Sequence, residues 1–580
     1  MLKLVSQMLK KSVIIIFFTL LLSNERGDLL SYELLDSKSY NEIFSELSGL
    51  IGSNTVPLIQ YGSSIYTITY STIDPFGNQT IASGSVTIPD TDTYCPILSF
   101  QHGTTLEKNQ VSSVYGYDII STWVSSSGFI TAMPDFLGLG VSDLFHPYQV
   151  AAPYGTDIVD MLRATKQLIL NLNSNWNGQL FLSGYSEGGY ATMAAQKALE
   201  QEYPYEFNIT LSTPMAGAYS MSNIMFNLMM DAQPYGEPWY LPYCVFGYNY
   251  VYNIYDSPFD YLKPEYAEIL PSLFDGYNST YDVNNVMPSI PIEIFKDDAL
   301  DELQNNENHP LRLELYNNNL DDWKPNSTTL LFHSNNDELV PVENSIIAYN
   351  NFIENGSTDC ENQPGPVPMN CTQLINQNWG SHTSAIIPTF LESMYESASR
   401  VNNQSPSIYT LTNHNSDSLY FDIHLSSDKE IGGFQFKILN ADIESIDSLL
   451  PDHISFEISS NSNLVIGFSF MGDTIPSGNI PVCRIYYSNN ESDICIYNTV
   501  TADFEGEEIP SINGQCINIQ QLLGDVNLDG IIDVLDVVMI INIIIDYENA
   551  NENQIDIADI NSDQIINIQD IILLINLIIS

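Results

Sequence analysis

The stretch Gly184-Tyr185-Ser186-Glu187-Gly188-Gly189 limits the possible folds more than any other. It follows a short apolar run, Leu180-Phe181-Leu182, and precedes a run with helical spacing over 191–200. A serine at such a junction sits on a tight, strained turn. The flanking glycines carry no side chain to clash there. The chain must therefore supply a strand that ends in a helix, with the serine exposed between them.

The surrounding sequence fits that demand. Residues 64–72 and 80–88 alternate apolar and polar side chains around Asp74-Pro75-Phe76-Gly77-Asn78, which predicts a hairpin. Residues 96–100, 128–133, 179–183, 207–213 and 328–332 read as buried strands. Residues 157–172 have helical spacing, with Ile158, Met161, Leu162, Leu168 and Leu170 apolar. Strands alternating with helices imply a mostly parallel sheet, whose ligands bind at the carboxyl ends of the strands.

A serine nucleophile needs a base, an acid to orient the base, and donors for the oxyanion. His382 lies in Gly380-Ser381-His382-Thr383, past the last core strand. Asp337 follows the strand that ends at Phe332, with Glu338 and Asp322 as alternative acids. Gln101-His102-Gly103-Thr104-Thr105 follows the strand at 96–100. Its glycine turn would aim the Thr104 N–H at the site, with the Glu187 N–H as second donor. The Glu187 side chain is expected to turn outward. His102 and His333 read as strand-end histidines without a catalytic part.

The order Ser186, Asp337, His382 is that of an α/β-hydrolase. Five segments together resemble its secreted lipase/esterase branch over about residues 55–400. They are Gln101-His102-Gly103-Thr104, Pro134-Asp135-Phe136-Leu137-Gly138-Leu139-Gly140, His146-Pro147-Tyr148, Asp160-Met161-Leu162-Arg163-Ala164 and the serine motif itself. The resemblance implies a metal-free Ser-His-Asp carboxylic ester hydrolase. It departs at Glu187, where that branch often has Gln. A long segment, about 220–325, separates two strands and is rich in aromatics: Trp239, Tyr240, Tyr243, Phe246, Tyr248, Tyr250, Tyr252 and Tyr255. A helical cap is expected there. Its aromatics would line an acyl or aryl pocket or form the cap's own core.

Two further regions follow. After the polar linker 401–406, short alternating runs at 420–425, 434–438, 464–470, 481–487 and 493–497 predict an all-β sandwich over 405–518. Glu430-Ile431-Gly432-Gly433-Phe434-Gln435-Phe436 resembles a strand of a cohesin-type or related carbohydrate-binding sandwich. A spacer without a ligand is the alternative. In the tail, 519–580, a twelve-residue pattern occurs twice. Asp525, Asn527, Asp529, Asp533 and Asp536 place oxygen ligands at positions 1, 3, 5, 9 and 12, with the Ile531 carbonyl at position 7. Asp559, Asn561, Asp563, Asn567 and Asp570 repeat the set, with Ile565 at position 7. Gly530 stands at position 6 of the first loop and Gln564 in the second. The pair resembles a type I dockerin, a calcium-folded module that docks to a cohesin. That implies two calcium ions. The partner would be a cohesin-bearing protein or the chain's own β-sandwich.

The net charge of −54 excludes nucleic acid and anionic membrane as partners, since both need clustered Lys and Arg. Lys3, Lys10 and Lys11 before the apolar run 13–22 read as an export signal over 1–23, with an uncleaved anchor as the alternative. A secreted or surface-associated protein is expected, and seven cysteines permit disulfides there. Cys360 with Cys371, and Cys483 with Cys495, are close enough to close small loops. Connectivity stays open. The expected whole is a multidomain secreted esterase, with 24–402 catalytic. The alternatives are an acetyl or feruloyl esterase on polysaccharide, a serine peptidase on the same fold, and a scaffold protein with a vestigial hydrolase.

Overall fold

The computed structural model describes residues 25–51, 58–115, 119–362, 370–416, 418–488, 493–517, 524–526, 532, 534–545, 557–561 and 565–579. The segment read as an export signal, 1–23, lies outside them. Contacts divide the chain into two units. The larger takes in 25–490 and 494–517, and the tail belongs to the smaller.

Nine strands of the larger unit make one sheet. They are β1 (Leu29–Lys38), β2 (Ser63–Ile73), β3 (Gln79–Pro89), β4 (Cys95–Gln101), β5 (Ile130–Pro134), β6 (Trp176–Tyr185), β7 (Asn208–Met215), β8 (Thr329–Ser334) and β9 (Thr372–Gln377). Their order is β1-β2-β3-β5-β4-β6-β7-β8-β9. β1, β2, β3 and β5 pair antiparallel, and β5 to β9 run parallel. β4 and β5 are buried along their whole length, as parallel strands covered on both faces must be. A helix at Ala151–Asn171 crosses from β5 to β6. It begins earlier than its apolar period predicts, because Pro153 and Gly155 hide its first turns. Leu170, one of its apolar residues, is exposed. The helix Glu187–Gln201 starts immediately after Ser186.

Between β7 and β8 a set of helices forms the cap, including Met221–Met225, Phe226–Met230, Tyr240–Tyr252, Pro264–Leu273, Asp297–Asn305 and Pro310–Asn317. Trp239, Tyr243 and Tyr248 are buried, with Trp239 against Tyr243 and Tyr248 against Tyr252. Most of the aromatics thus build the cap rather than a pocket wall.

Ten more strands follow: β10 (Ser407–Asn415), β11 (Tyr420–Ser427), β12 (Ile431–Leu439), β13 (Asp442–Ser448), β14 (Glu457–Asn461), β15 (Leu464–Phe468), β16 (Gly478–Ser488), β17 (Cys495–Asp503), β18 (Glu508–Ile509) and β19 (Ser511–Asn513). They form two five-stranded sheets, β13-β16-β11-β10-β19 and β14-β15-β12-β17-β18. Tyr409 of the first sheet reaches the second, with its ring against Phe436 and its hydroxyl 2.7 Å from Thr501 Oγ1. The polar linker is tied down. The Asn402 N–H donates to Gln179 Oε1 at 2.8 Å, and its carbonyl accepts from Asn177 Nδ2 at 2.8 Å. Asn208 Nδ2 also donates to Thr499 Oγ1 at 3.0 Å.

Cys360 pairs with Cys371, and Cys495 pairs with Cys516 rather than with Cys483. Cys483 is fully buried in β16, in the opposite sheet from Cys495, and its thiol is free.

In the tail, helices Val534–Ile545 and Ile568–Ile579 meet around Val526, Ile540, Ile557 and Leu574. No helix among the described residues is long and apolar enough to cross a membrane.

Candidate active site

Ser186 follows β6 with φ 61° and ψ −120°, an unfavourable backbone for a residue with a Cβ. Its N–H donates to the Met215 carbonyl at 2.9 Å, and its own carbonyl accepts from Tyr190 N–H at 3.1 Å. The turn closes only because glycines flank it. A Cβ on Gly188 would stand 2.0 Å from the Gln101 carbonyl oxygen, and one on Gly184 would stand 2.4 Å from that of Gly188. The Glu187 N–H opens the following helix, so it has no intrahelical acceptor and lies at the positive end of the helix dipole.

His382 Nε2 lies 2.8 Å from Ser186 Oγ, and its Nδ1 lies 2.6 Å from Asp337 Oδ2. Asp337 follows β8, and His382 follows β9, a strand the sequence reading did not find. The imidazole is pinned from its backbone as well. His382 N–H donates to Glu338 Oε2 at 3.0 Å, and its carbonyl accepts the Tyr185 hydroxyl at 2.6 Å. Glu338 therefore holds the histidine's backbone, while Asp337 faces its ring. Asp322 is engaged elsewhere, accepting from Asn355 Nδ2 at 2.8 Å.

Asp337 Oδ1 accepts the N–H groups of Leu339 and Val340 at 3.1 and 2.8 Å. His333 is more than a strand-end residue. Its Nε2 lies 3.4 Å from Asp337 Oδ2 and 2.7 Å from the Val340 carbonyl. Burial alone would raise the Asp337 pKa, but His333 and His382 together hold it down at about 2.

Glu187 turns inward, against expectation. Its Oε1 lies 2.8 Å from His146 Nε2 and accepts the Tyr154 hydroxyl at 2.7 Å. His146 Nδ1 lies 2.7 Å from the Leu137 carbonyl. Burial penalises the Glu187 carboxylate, yet His146, His102 and Tyr154 outweigh it and its pKa falls below the ordinary value. An outward turn is natural for Glu on a helix. Here a buried histidine 41 positions away supplies the partner. His146 stood in a recognised segment, but nothing local linked it to Glu187.

The Thr104 side chain lies beside Tyr148, Oγ1 to hydroxyl 3.1 Å. The His102 ring packs tilted against Phe136, with centroids 4.3 Å apart, and its Nε2 lies 3.1 Å from the Asp135 carbonyl. A cavity of about 70 Å³ opens at Ser186, walled by Met221, Met225, Met229, Tyr235, Tyr240 and Leu311. Of the aromatics named from the sequence, Tyr240 lines it.

In the tail, Asp536 and Asp570 hold position 12 of the two loops and are fully buried. The Asp570 carboxylate accepts the N–H groups of Asn561 and Asn567 at 3.3 and 2.8 Å, which draws positions 3, 9 and 12 together. Asp525 is also buried, and Asp559 and Ile565 are described. Asn527, Asp529, Ile531, Asp533 and Asp563 lie outside the described residues. The donor set is all oxygen and closed by a buried carboxylate, which fits a hard divalent cation.

Residues 523–579 match the dockerin type I domain family. Among solved structures, the chain is similar to a protein described as a hydrolase from Legionella pneumophila. The identity is 27% and the TM-score 0.58, over 64% of this chain and 98% of that one. It is equally similar to a ligand-bound form of the rice cell wall degrading esterase LipA from Xanthomonas oryzae, at 27% identity and TM-score 0.58, over 65% of this chain and 98% of that one. The chain joins an α/β-hydrolase fold to a type I dockerin domain. No match is found among curated proteins. In α/β-hydrolase terms, β6 leads into the Ser186 turn, and the helices between β7 and β8 stand where a cap would.

Proposed function

We propose that the chain is a secreted serine ester hydrolase delivered to its substrate by its dockerin. The supporting observation is the continuous line from Asp337 through His382 to Ser186. Ser186 Oγ attacks the ester carbonyl as His382 Nε2 takes its proton. Asp337 stays ionised, fixes the ring and stabilises the imidazolium. The Thr104 and Glu187 N–H groups receive the oxyanion. His382 then passes the proton to the departing alcohol, which leaves an acyl-serine. Water, deprotonated by His382, releases the acid and restores Ser186. Nothing in this sequence requires a metal.

Calcium acts in the tail. Asp525, Asn527, Asp529, Asp533, Asp536 and the Ile531 carbonyl would hold one ion. Asp559, Asn561, Asp563, Asn567, Asp570 and the Ile565 carbonyl would hold the other. Each ion would close its loop and set the following helix, and the folded dockerin would dock to a cohesin-bearing partner outside the cell. One neighbour is described as cell wall degrading, and dockerins suit assembly on polymers. Both favour an ester that decorates polysaccharide as a second substrate reading beside lipid esters. Hydrolysis of p-nitrophenyl esters by the purified chain tests the activity. If Ser186→Ala hydrolyses them as fast as the unmodified chain, the assignment is wrong.

A further inference from the structure

Two acceptor atoms beside Ser186 are buried without a partner among the described residues: Oε1 of Gln149 and Oε2 of Glu187. Both residues line the cavity that holds Ser186. They are 5% and 1% exposed. One hydroxyl ties them together. Tyr154 donates to Glu187 Oε1 at 2.7 Å and accepts the Gln149 N–H at 3.3 Å. Gln149 also sits at φ 60°, left-handed for a residue with a long side chain, and its carbonyl is clamped by the Tyr248 hydroxyl at 2.9 Å. Such a backbone persists only where its surroundings enforce it.

The cavity is otherwise apolar, with methionines along one side. A buried acceptor left unpaired in such a wall is costly, and native structures seldom keep one without a use. Glu187 Oε1 already takes two partners, so only Oε2 remains for a donor that comes with the substrate. A hydroxyl donates to Oε2, and its lone pair accepts from Gln149 once that amide is turned over, which puts Nε2 where Oε1 stands. An ammonium would bring three donors to two acceptors.

We propose that Gln149 and Glu187 form a polar subsite for a hydroxyl group carried by the substrate next to its ester carbonyl, so that hydroxyl-bearing esters are the preferred class. This rests on Ser186 being the nucleophile. The hydroxyl can belong to the acyl chain or to a polyol alcohol.

The test compares kcat/KM of the full chain on two matched pairs. p-Nitrophenyl 3-hydroxybutyrate against p-nitrophenyl butyrate reports on the acyl side. Glycerol monobutyrate against ethyl butyrate reports on the alcohol side. The hydroxylated member of one pair is expected to react at least about tenfold faster, the scale set by leaving a buried acceptor unpaired. Gln149→Met should bring that ratio toward one. Gln149→Asn, which keeps an amide on a residue tolerant of the left-handed backbone, should retain part of it. Ratios near one for both pairs in the unmodified enzyme would overturn the subsite and leave plain-ester hydrolysis standing. So would a ratio that Gln149→Met does not change. Failure of the nucleophile reading would show separately, as Ser186→Ala that still hydrolyses the plain esters.

Discussion

A serine hydroxyl is a poor nucleophile near neutral pH until a neighbour accepts its proton, and the neighbour works only if held in one tautomer and one orientation. Asp337→Asn keeps the shape of that support and removes its charge. It should lower kcat by about 10⁴-fold with little change in KM, as measured on a soluble ester. Asp337 also gives a stability prediction with a definite sign. Its pKa falls from 3.8 unfolded to about 2 folded. Its stabilisation is therefore complete above pH ~4 and disappears as pH falls toward ~2. Urea denaturation should show the unmodified chain losing about 2 kcal/mol more than Asp337→Asn across that window. Much of this arrangement could be read from sequence, since Ser186 sits in a motif, Asp337 follows a recognisable strand, and His382 comes after both in the order of the expected triad. The second histidine on Asp337 and the buried partner of Glu187 could not. Both contacts pair residue types that usually face water, and the chain fold alone brings His146 to Glu187.

At the level of elements, the turn after β6 works by close approach. Gly188→Ala would drive a methyl into the Gln101 carbonyl and displace the segment that carries Thr104. It should destabilise by about 3 kcal/mol and reduce esterase activity more than tenfold, read by thermal unfolding and by initial rates. The helix Ala151–Asn171 holds Asp157, whose burial, with Asp160 and Asp135 nearby, pushes its pKa up to about 8 despite the Tyr70 hydroxyl. A raised carboxyl stabilises the fold below pH ~4 and costs increasingly as pH rises to ~8. Asp157→Asn should therefore raise Tm at pH ~8 and give no gain below pH ~4. The parallel strands were visible because burial on both faces makes them continuous apolar runs. β1 and β9 were not, because they lie at the two edges of the sheet, where side chains are half exposed and the run breaks up. The same reasoning explains the missed β13 and β14, which are largely exposed edge strands.

The two units should differ in their dependence on ions. Chelation with EGTA should remove helical circular dichroism from the dockerin and leave ester hydrolysis unchanged, since the two belong to separate units. Loss of hydrolysis on chelation would contradict that division. The Cys495–Cys516 bond lies just ahead of the tail and fastens the chain's exit to the start of β17. Were the dockerin anchored, as proposed, and pulled, tension would enter the chain at that point. The sulfur bridge diverts the pull to β17, which is zipped to β12 along most of its length. β18 and β19 are short and peel easily, but they lie inside the bridged loop and carry none of the force. With the bridge reduced, the same pull would strip β19 from β10 and then loosen the contacts that seat this region on the hydrolase. Under such a pull, the crosslink would act as strain relief between the dockerin and the hydrolase fold behind it.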